Sequence, residues 1–169
     1  FFYPYFLIIN NVIYNALNDN TTGANNVALG RNTLSLNVTT SSNVAIGHEA
    51  LKANIASNNT AVGYTALTAN TTGDANVAIG FESMITNTTG TDNTAIGKES
   101  LKANTTGTNN TALGRQALFS NTTGDSNVAV GLNSLKSNTT GTRNIAIGQS
   151  SYQNSDTEND NLAIGHNAM

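Results

Sequence analysis

A pentapeptide of the form Asn-Val-Ala-Ile-Gly, as in residues 76–80, returns along this chain at an almost constant interval. Its closing glycines are Gly30, Gly47, Gly63, Gly80, Gly97, Gly114, Gly131, Gly148 and Gly165, separated by 17, 16, 17, 17, 17, 17, 17 and 17 residues. A fixed period of this size marks a repeat architecture, in which each unit buries its apolar side against the next. The consensus unit is N-V-A-I-G-x-x-[AS]-L-x-x-N-T-T-G-x-x. Such a unit is too short for a pair of helices. Its Val-Ala-Ile segment is alternating and β-branched, which predicts a short strand. The closing glycine supplies a positive φ without steric penalty, and Asn-Thr-Thr-Gly is turn chemistry. The x-x-[AS]-L-x-x segment reads as a second short strand or a helical turn, with the strand favoured. The expected fold is all-β: a parallel β-solenoid (β-roll) of about nine 17-residue rungs over residues 14–169, stacked about 4.8 Å apart into a rod of roughly 40 Å.

The columns of this repeat constrain the interior. A large apolar residue recurs at Leu17, Leu34, Leu51, Leu67, Met84, Leu101, Leu118, Leu135, Tyr152 and Met169, and a small one usually precedes it. The 16-residue interval lacks one residue in the turn after Asn54, where a deletion is tolerated best. Asn26, Asn43, Asn59, Asn76, Asn93, Asn110, Asn127, Asn144 and Asn161 hold one position without exception. Stacked side-chain amides can bond to the copies above and below, so these residues are expected to form a structural ladder. The alternative is that Asn simply suits the turn. Ala28, Ala45, Ala61, Ala78, Ala95, Ala112, Ala129, Ala146 and Ala163 are equally invariant. Neighbours in a strand point to opposite faces. With the uniformly apolar Ile column taken as buried, the Ala column becomes a second buried face with no room for another methylene. The expectation is a tight interface in which other subunits supply the second layer. Charged residues gather one, two or five positions after the closing glycine, or just after the turn glycine, which predicts the solvated side.

Residues 1–13 stand apart. They hold five of the ten aromatic residues, and Asn10–Ile13 imitates the repeat with Ile13 in place of its glycine. They read as an atypical apolar cap over the first rung, or as a plug for another subunit. The stretch lacks the basic start and small-residue end of a signal peptide. Charged residues are only 10% of the chain, a composition that would suit disorder were apolar residues not returning in register. The net charge of −3 shows no basic patch in the sequence for nucleic acid, and no apolar run is long enough for a membrane-inserted helix. There is no Cys for a disulfide or thiolate metal site.

Catalysis needs converging groups, and none is apparent, so no enzyme activity, cofactor or metal is expected. The two histidines, His48 and His166, share a rung position seven rungs apart, some 30 Å along the rod, too far to share a metal. The glycine-rich Ca²⁺ β-roll signature is absent. Asn20, Asn37, Asn70, Asn87, Asn104, Asn121 and Asn138 match the Asn-x-Ser/Thr glycan acceptor at one register on a turn expected to be exposed, and Asn58 and Asn109 match it elsewhere. The competing reading is plain turn chemistry. Regular Thr pairs raise ice binding, but Thr105 and Thr106 are adjacent in a turn and do not form an array of alternate threonines.

The recurring N-V-A-I-G, with its following small residue and Gly turn, resembles the head repeats of trimeric autotransporter adhesins of the YadA type. It is also similar to Asn-Thr-Thr-Gly/Asn-x-Ala-Ile-Gly repeats of phage structural and tail-fibre proteins. The resemblance covers residues 14–169. It implies a left-handed parallel β-roll assembled as a homotrimer that binds host surfaces or matrix. The adhesin repeats are shorter and lack the L-x-x-N-T-T insertion. Two expectations follow. One is a non-enzymatic structural fibre or adhesin module of a virion or bacterial surface, a homo-oligomer presenting a stiff rod for attachment to a host or matrix surface. The other is an extracellular filament subunit, joined head to tail when the apolar N-terminal segment covers the strand edge left near Met169. Deleting residues 1–9 would abolish filaments in the second case only.

Overall fold

A computed structural model of the protein describes residues 13–154 and 156–169. The cap or plug expected over residues 1–13 lies outside the described residues except for Ile13. Among the described residues there is no helix, and a single sheet holds nine parallel strands in sequential order. They are β1 (Val27–Leu29), β2 (Val44–Ile46), β3 (Thr60–Val62), β4 (Val77–Ile79), β5 (Thr94–Ile96), β6 (Thr111–Leu113), β7 (Val128–Val130), β8 (Ile145–Ile147) and β9 (Leu162–Ile164). Every pair keeps like over like: Ala28 opposes Ala45, Ala78 opposes Ala95, and Ala146 opposes Ala163. The chain is a β-solenoid with one strand per rung. The short rung preserves the pattern, because Val44 still pairs with Thr60. Its turn absorbs the deletion: Asn54 Nδ2 donates to Ala56 O two residues on, where Asn87 Nδ2 donates to Gly90 O three residues on.

The second strand expected over x-x-[AS]-L-x-x does not form. This segment is a run of turns with alternating left-handed residues, such as Glu99 at φ 58° and Leu101 at φ 48°. The rungs still stack there by backbone hydrogen bonds. Glu99 N–H donates to Phe81 O at 2.9 Å, and Leu101 N–H to Ala117 O at 3.0 Å. A left-handed leucine costs roughly 1–2 kcal/mol, offset by the roughly 1.5–3 kcal/mol of burying its side chain. Leu34, Leu51, Leu67, Leu101, Leu118 and Leu135 are wholly buried, as is Met84.

The sheet faces are the reverse of the expectation. Ala45, Ala61, Ala78, Ala95, Ala112, Ala129 and Ala146 are fully buried inside their own rungs, packed with the Leu column; Ala163 is buried and Ala28 partly buried. The Ile column, taken from sequence as a core face, points outward: Ile79 is 37% exposed, Leu113 45% and Ile147 40%. In a three-residue strand only the middle side chain faces in. Alanine is demanded because the coil is narrow and the chain itself already covers these side chains. The tight intersubunit interface assigned to Ala28, Ala45, Ala61, Ala78, Ala95, Ala112, Ala129, Ala146 and Ala163 is therefore corrected: these residues line the interior.

Candidate interaction surfaces

Two amide ladders run through the interior and set the shape of everything outside. In the first, the backbone N–H of each Asn from Asn43 to Asn161 donates to the Oδ1 of the Asn one rung earlier, at 2.9–3.0 Å. Nδ2 of Asn93, Asn110, Asn127 and Asn144 donates to that same oxygen at 3.1–3.2 Å. The second ladder is formed by the residues of the Asn-Thr-Thr-Gly turn. Nδ2 of Asn70, Asn87, Asn104, Asn121 and Asn138 donates to the preceding Oδ1 at 2.7–2.9 Å. The turn carbonyl joins the two. Gly107 O accepts from Asn104 Nδ2 at 3.0 Å and from Asn93 Nδ2 at 2.8 Å. Asn87, Asn93, Asn104, Asn110, Asn121, Asn127, Asn138 and Asn144 thus use both amide protons, and buried amides without partners would be costly.

This second ladder overturns the glycan reading. Asn37, Asn70, Asn87, Asn104, Asn121 and Asn138 are completely buried, and Asn20, on the first rung, donates its amide to Gly23 O at 3.0 Å. A sugar on any buried one would have to enter the core and would break the ladder. Asn58 and Asn109, outside that register, are exposed. A signal for the second ladder was present in the chain: its column is Asn in every rung from Asn20 to Asn138, as uniform as the first. The turn glycines serve a close approach of backbones: a Cβ on Gly107 would run into Gly124 O and Asn104 Oδ1. The closing glycines do adopt positive φ, 139° at Gly97.

Outside, three longitudinal surfaces result. The first is the outer sheet face, built from two columns that flank the alanines. Fifteen of its eighteen positions are Val, Ile or Leu; Thr60, Thr94 and Thr111 are the others. No charged residue stands within it.

The second surface follows the strands. One residue after the closing glycine, His48, Tyr64 and Phe81 stack rung upon rung, with ring centroids 5.2 and 5.4 Å apart. The Lys98 ammonium lies 5.3 Å from the Phe81 centroid, and Lys102 and Lys136 lie 5.6 and 5.9 Å from Phe119. Lys102 pairs with Glu82 at 2.8 Å and Glu99 at 3.2 Å, and Lys52 with Glu49 at 2.9 Å. These contacts hold the Glu49 carboxyl below its ordinary range, chiefly through Lys52, and the Glu99 carboxyl likewise, through Gln116 first and then Lys102. Because the aromatic faces cover one another, this column presents ring edges and cations to solvent.

The third surface is the polar turn side. Oγ1 of Thr71, Thr88, Thr105 and Thr122 donates to the next rung's carbonyl at 2.9–3.1 Å. The following residues, Thr72, Thr89, Thr106, Thr123 and Thr140, are exposed. Adjacent threonines therefore face different ways.

Among the described residues no pocket opens and no three His, Cys, Asp or Glu side chains converge. His48 stacks on Tyr64 beside β2, and His166 is exposed beyond β9. Among the described residues no helix is long and apolar enough to cross a membrane. No protein-family model, curated protein or solved structure matches the chain.

Proposed function

We propose that this protein is a non-enzymatic structural rod, a fibre or attachment module of a cell or virion surface that associates with copies of itself. The observation that carries the reading is the outer sheet face: a continuous apolar stripe on a chain whose own core is already closed. Exposed apolar areas of this extent mark association sites on soluble proteins. The interior favours a load-bearing role, since every rung is tied to its neighbours by backbone and amide hydrogen bonds. Stacked rungs offer a host or matrix surface the same contacts many times over, so attachment would rest on multivalency in place of a pocket.

Light scattering of the whole chain tests the reading, alongside an Ile79→Asp/Ile96→Asp variant. Wild type is expected to sediment and scatter as an oligomer. The variant should retain its β circular dichroism and fall to the monomer mass, because two charges now stand on the apolar face. A wild-type monomer at high micromolar concentration would refute self-association.

A further inference from the structure

The charges are sorted around the rod, although the sequence intersperses them. Every Lys and Arg except Arg143 stands one or five positions after a closing glycine, on the side where the chain leaves the strands. Seven of the ten acids lie in the Asn-Thr-Thr-Gly turns or within two residues of them, and Arg143 is held there by Asp160 at 2.6 Å. The three acids on the strand-exit side are already taken. Lys52 holds Glu49, and Lys102 holds both Glu82 and Glu99. Among the described residues, Arg31, Lys98, Arg115 and Lys136 make no ion pair. Three of these cations lie over rings: Arg31 over Tyr14 at 5.6 Å, Lys98 over Phe81 at 5.3 Å and Lys136 over Phe119 at 5.9 Å. Lys98 and Arg115 share one column on consecutive rungs, just past β5 and β6, and both are exposed. Two like charges therefore stand about one rung spacing, ~4.8 Å, apart along the rod.

We infer that the strand-exit side is a docking surface for a linear acidic polysaccharide, whose carboxylate or sulfate groups supply the counter-charge these cations lack. This rests on the attachment role proposed above and gives it a ligand class. An oxyanion set between Lys98 and Arg115 offsets their mutual repulsion, and the Arg115 guanidinium can hold it with two parallel N–H donors. The other free cations call for an extended partner. Lys136 stands one rung beyond Arg115, and Arg31 four rungs before Lys98, so the line runs for about 29 Å. A small anion reaches only one end of it. The line is also sparse. Its spacing suits a polymer charged once per sugar or per disaccharide, whereas duplex DNA carries a charge every ~1.7 Å. Single-stranded nucleic acid is held by bases stacking on open aromatic faces. Here Tyr64 is covered by His48 and Phe81, and Phe119 by Lys102 and Lys136. The acidic turns repel a polyanion from the opposite side, which leaves it one track along the rod.

Titration calorimetry of the whole chain tests this with polygalacturonate as the carboxylate probe and κ-carrageenan as the sulfate probe. Neutral dextran and oligothymidylate are run alongside. Binding to at least one acidic polysaccharide is expected, absent with dextran and weakened about tenfold between about 50 and 200 mM salt. The tighter of the two names the anion. The Lys98→Gln/Arg115→Gln variant should bind about tenfold more weakly with its β circular dichroism unchanged, while Arg143→Gln, on the turn side, should stay within about twofold of wild type. No binding to either polymer, an equal loss with Arg143→Gln, or tighter binding of oligothymidylate overturns the inference. None of these outcomes touches self-association, which light scattering reads separately. A monomer that binds as expected would keep the polysaccharide surface and remove self-association.

Discussion

Truncating Asn104 to Ala asks whether the amides act as a ladder or merely as residues suited to a turn. Asn104 Nδ2 donates to Asn87 Oδ1 at 2.8 Å and to Gly107 O at 3.0 Å, and its Oδ1 accepts from Asn121 Nδ2 at 2.9 Å. Gly107 O keeps its bond from Asn93. Asn87 Oδ1 is left buried without this donor, at about 1–3 kcal/mol, and Asn121 loses one of its two acceptors, about 1 kcal/mol more. Adding the small cavity, the expected loss is about 3–5 kcal/mol. Asn138 is the control. Its Nδ2 makes the same two bonds, at 2.8 and 3.1 Å, but its Oδ1 is buried and accepts nothing. Asn138→Ala orphans Asn121 Oδ1 while removing an oxygen already unsatisfied, so its net cost is about 0–2 kcal/mol. Urea unfolding followed by circular dichroism, at one fixed protein concentration, measures both. Equal losses at the two sites would show that each Asn serves only its own turn, and the ladder argument would fail.

Two further outcomes follow from the same packing, both read in the same urea assay. Ala95→Val should destabilise by about 1–3 kcal/mol, because Ala95 is fully buried in a coil sized for a methyl group; a neutral result would mean the interior is looser than described. On acidification, the depressed Glu49 and Glu99 carboxyls give stability that is present above the ordinary glutamate pKa of about 4.3 and lost as pH falls through their lowered values. Lys102, raised chiefly by Glu82, contributes below the ordinary lysine range and loses that contribution as pH climbs past its elevated value. The urea midpoint should therefore be flat near neutrality and fall at both extremes, with Glu99→Gln shallowing the acid limb.

The residues themselves show what could and could not be read in advance. Identical spacing of Asn, Ala, Ile and Gly dictates stacking, since no other arrangement satisfies like groups with like; the strands, their register and the place of the deleted residue were legible for that reason. The first Asn ladder was legible too, since an invariant amide column has few other uses. The second was obscured because Asn-Thr-Thr-Gly looks the same whether its Asn points out or in. The left-handed Leu101 and its copies were invisible, because local preference argues against them and only burial in the finished coil outweighs it. Inside and outside of the strand could not be told from alternation alone. Periodicity says that Ala78 and Ile79 face opposite ways, but both columns are apolar. It was the width of the closed coil, fixed by two amide ladders meeting at one carbonyl, that admitted the methyl group and turned the larger side chains to the surface. The chain's own pattern thus determined the rod and its pitch. Three-dimensional closure decided which face is core, which is contact, and how the charges divide around it.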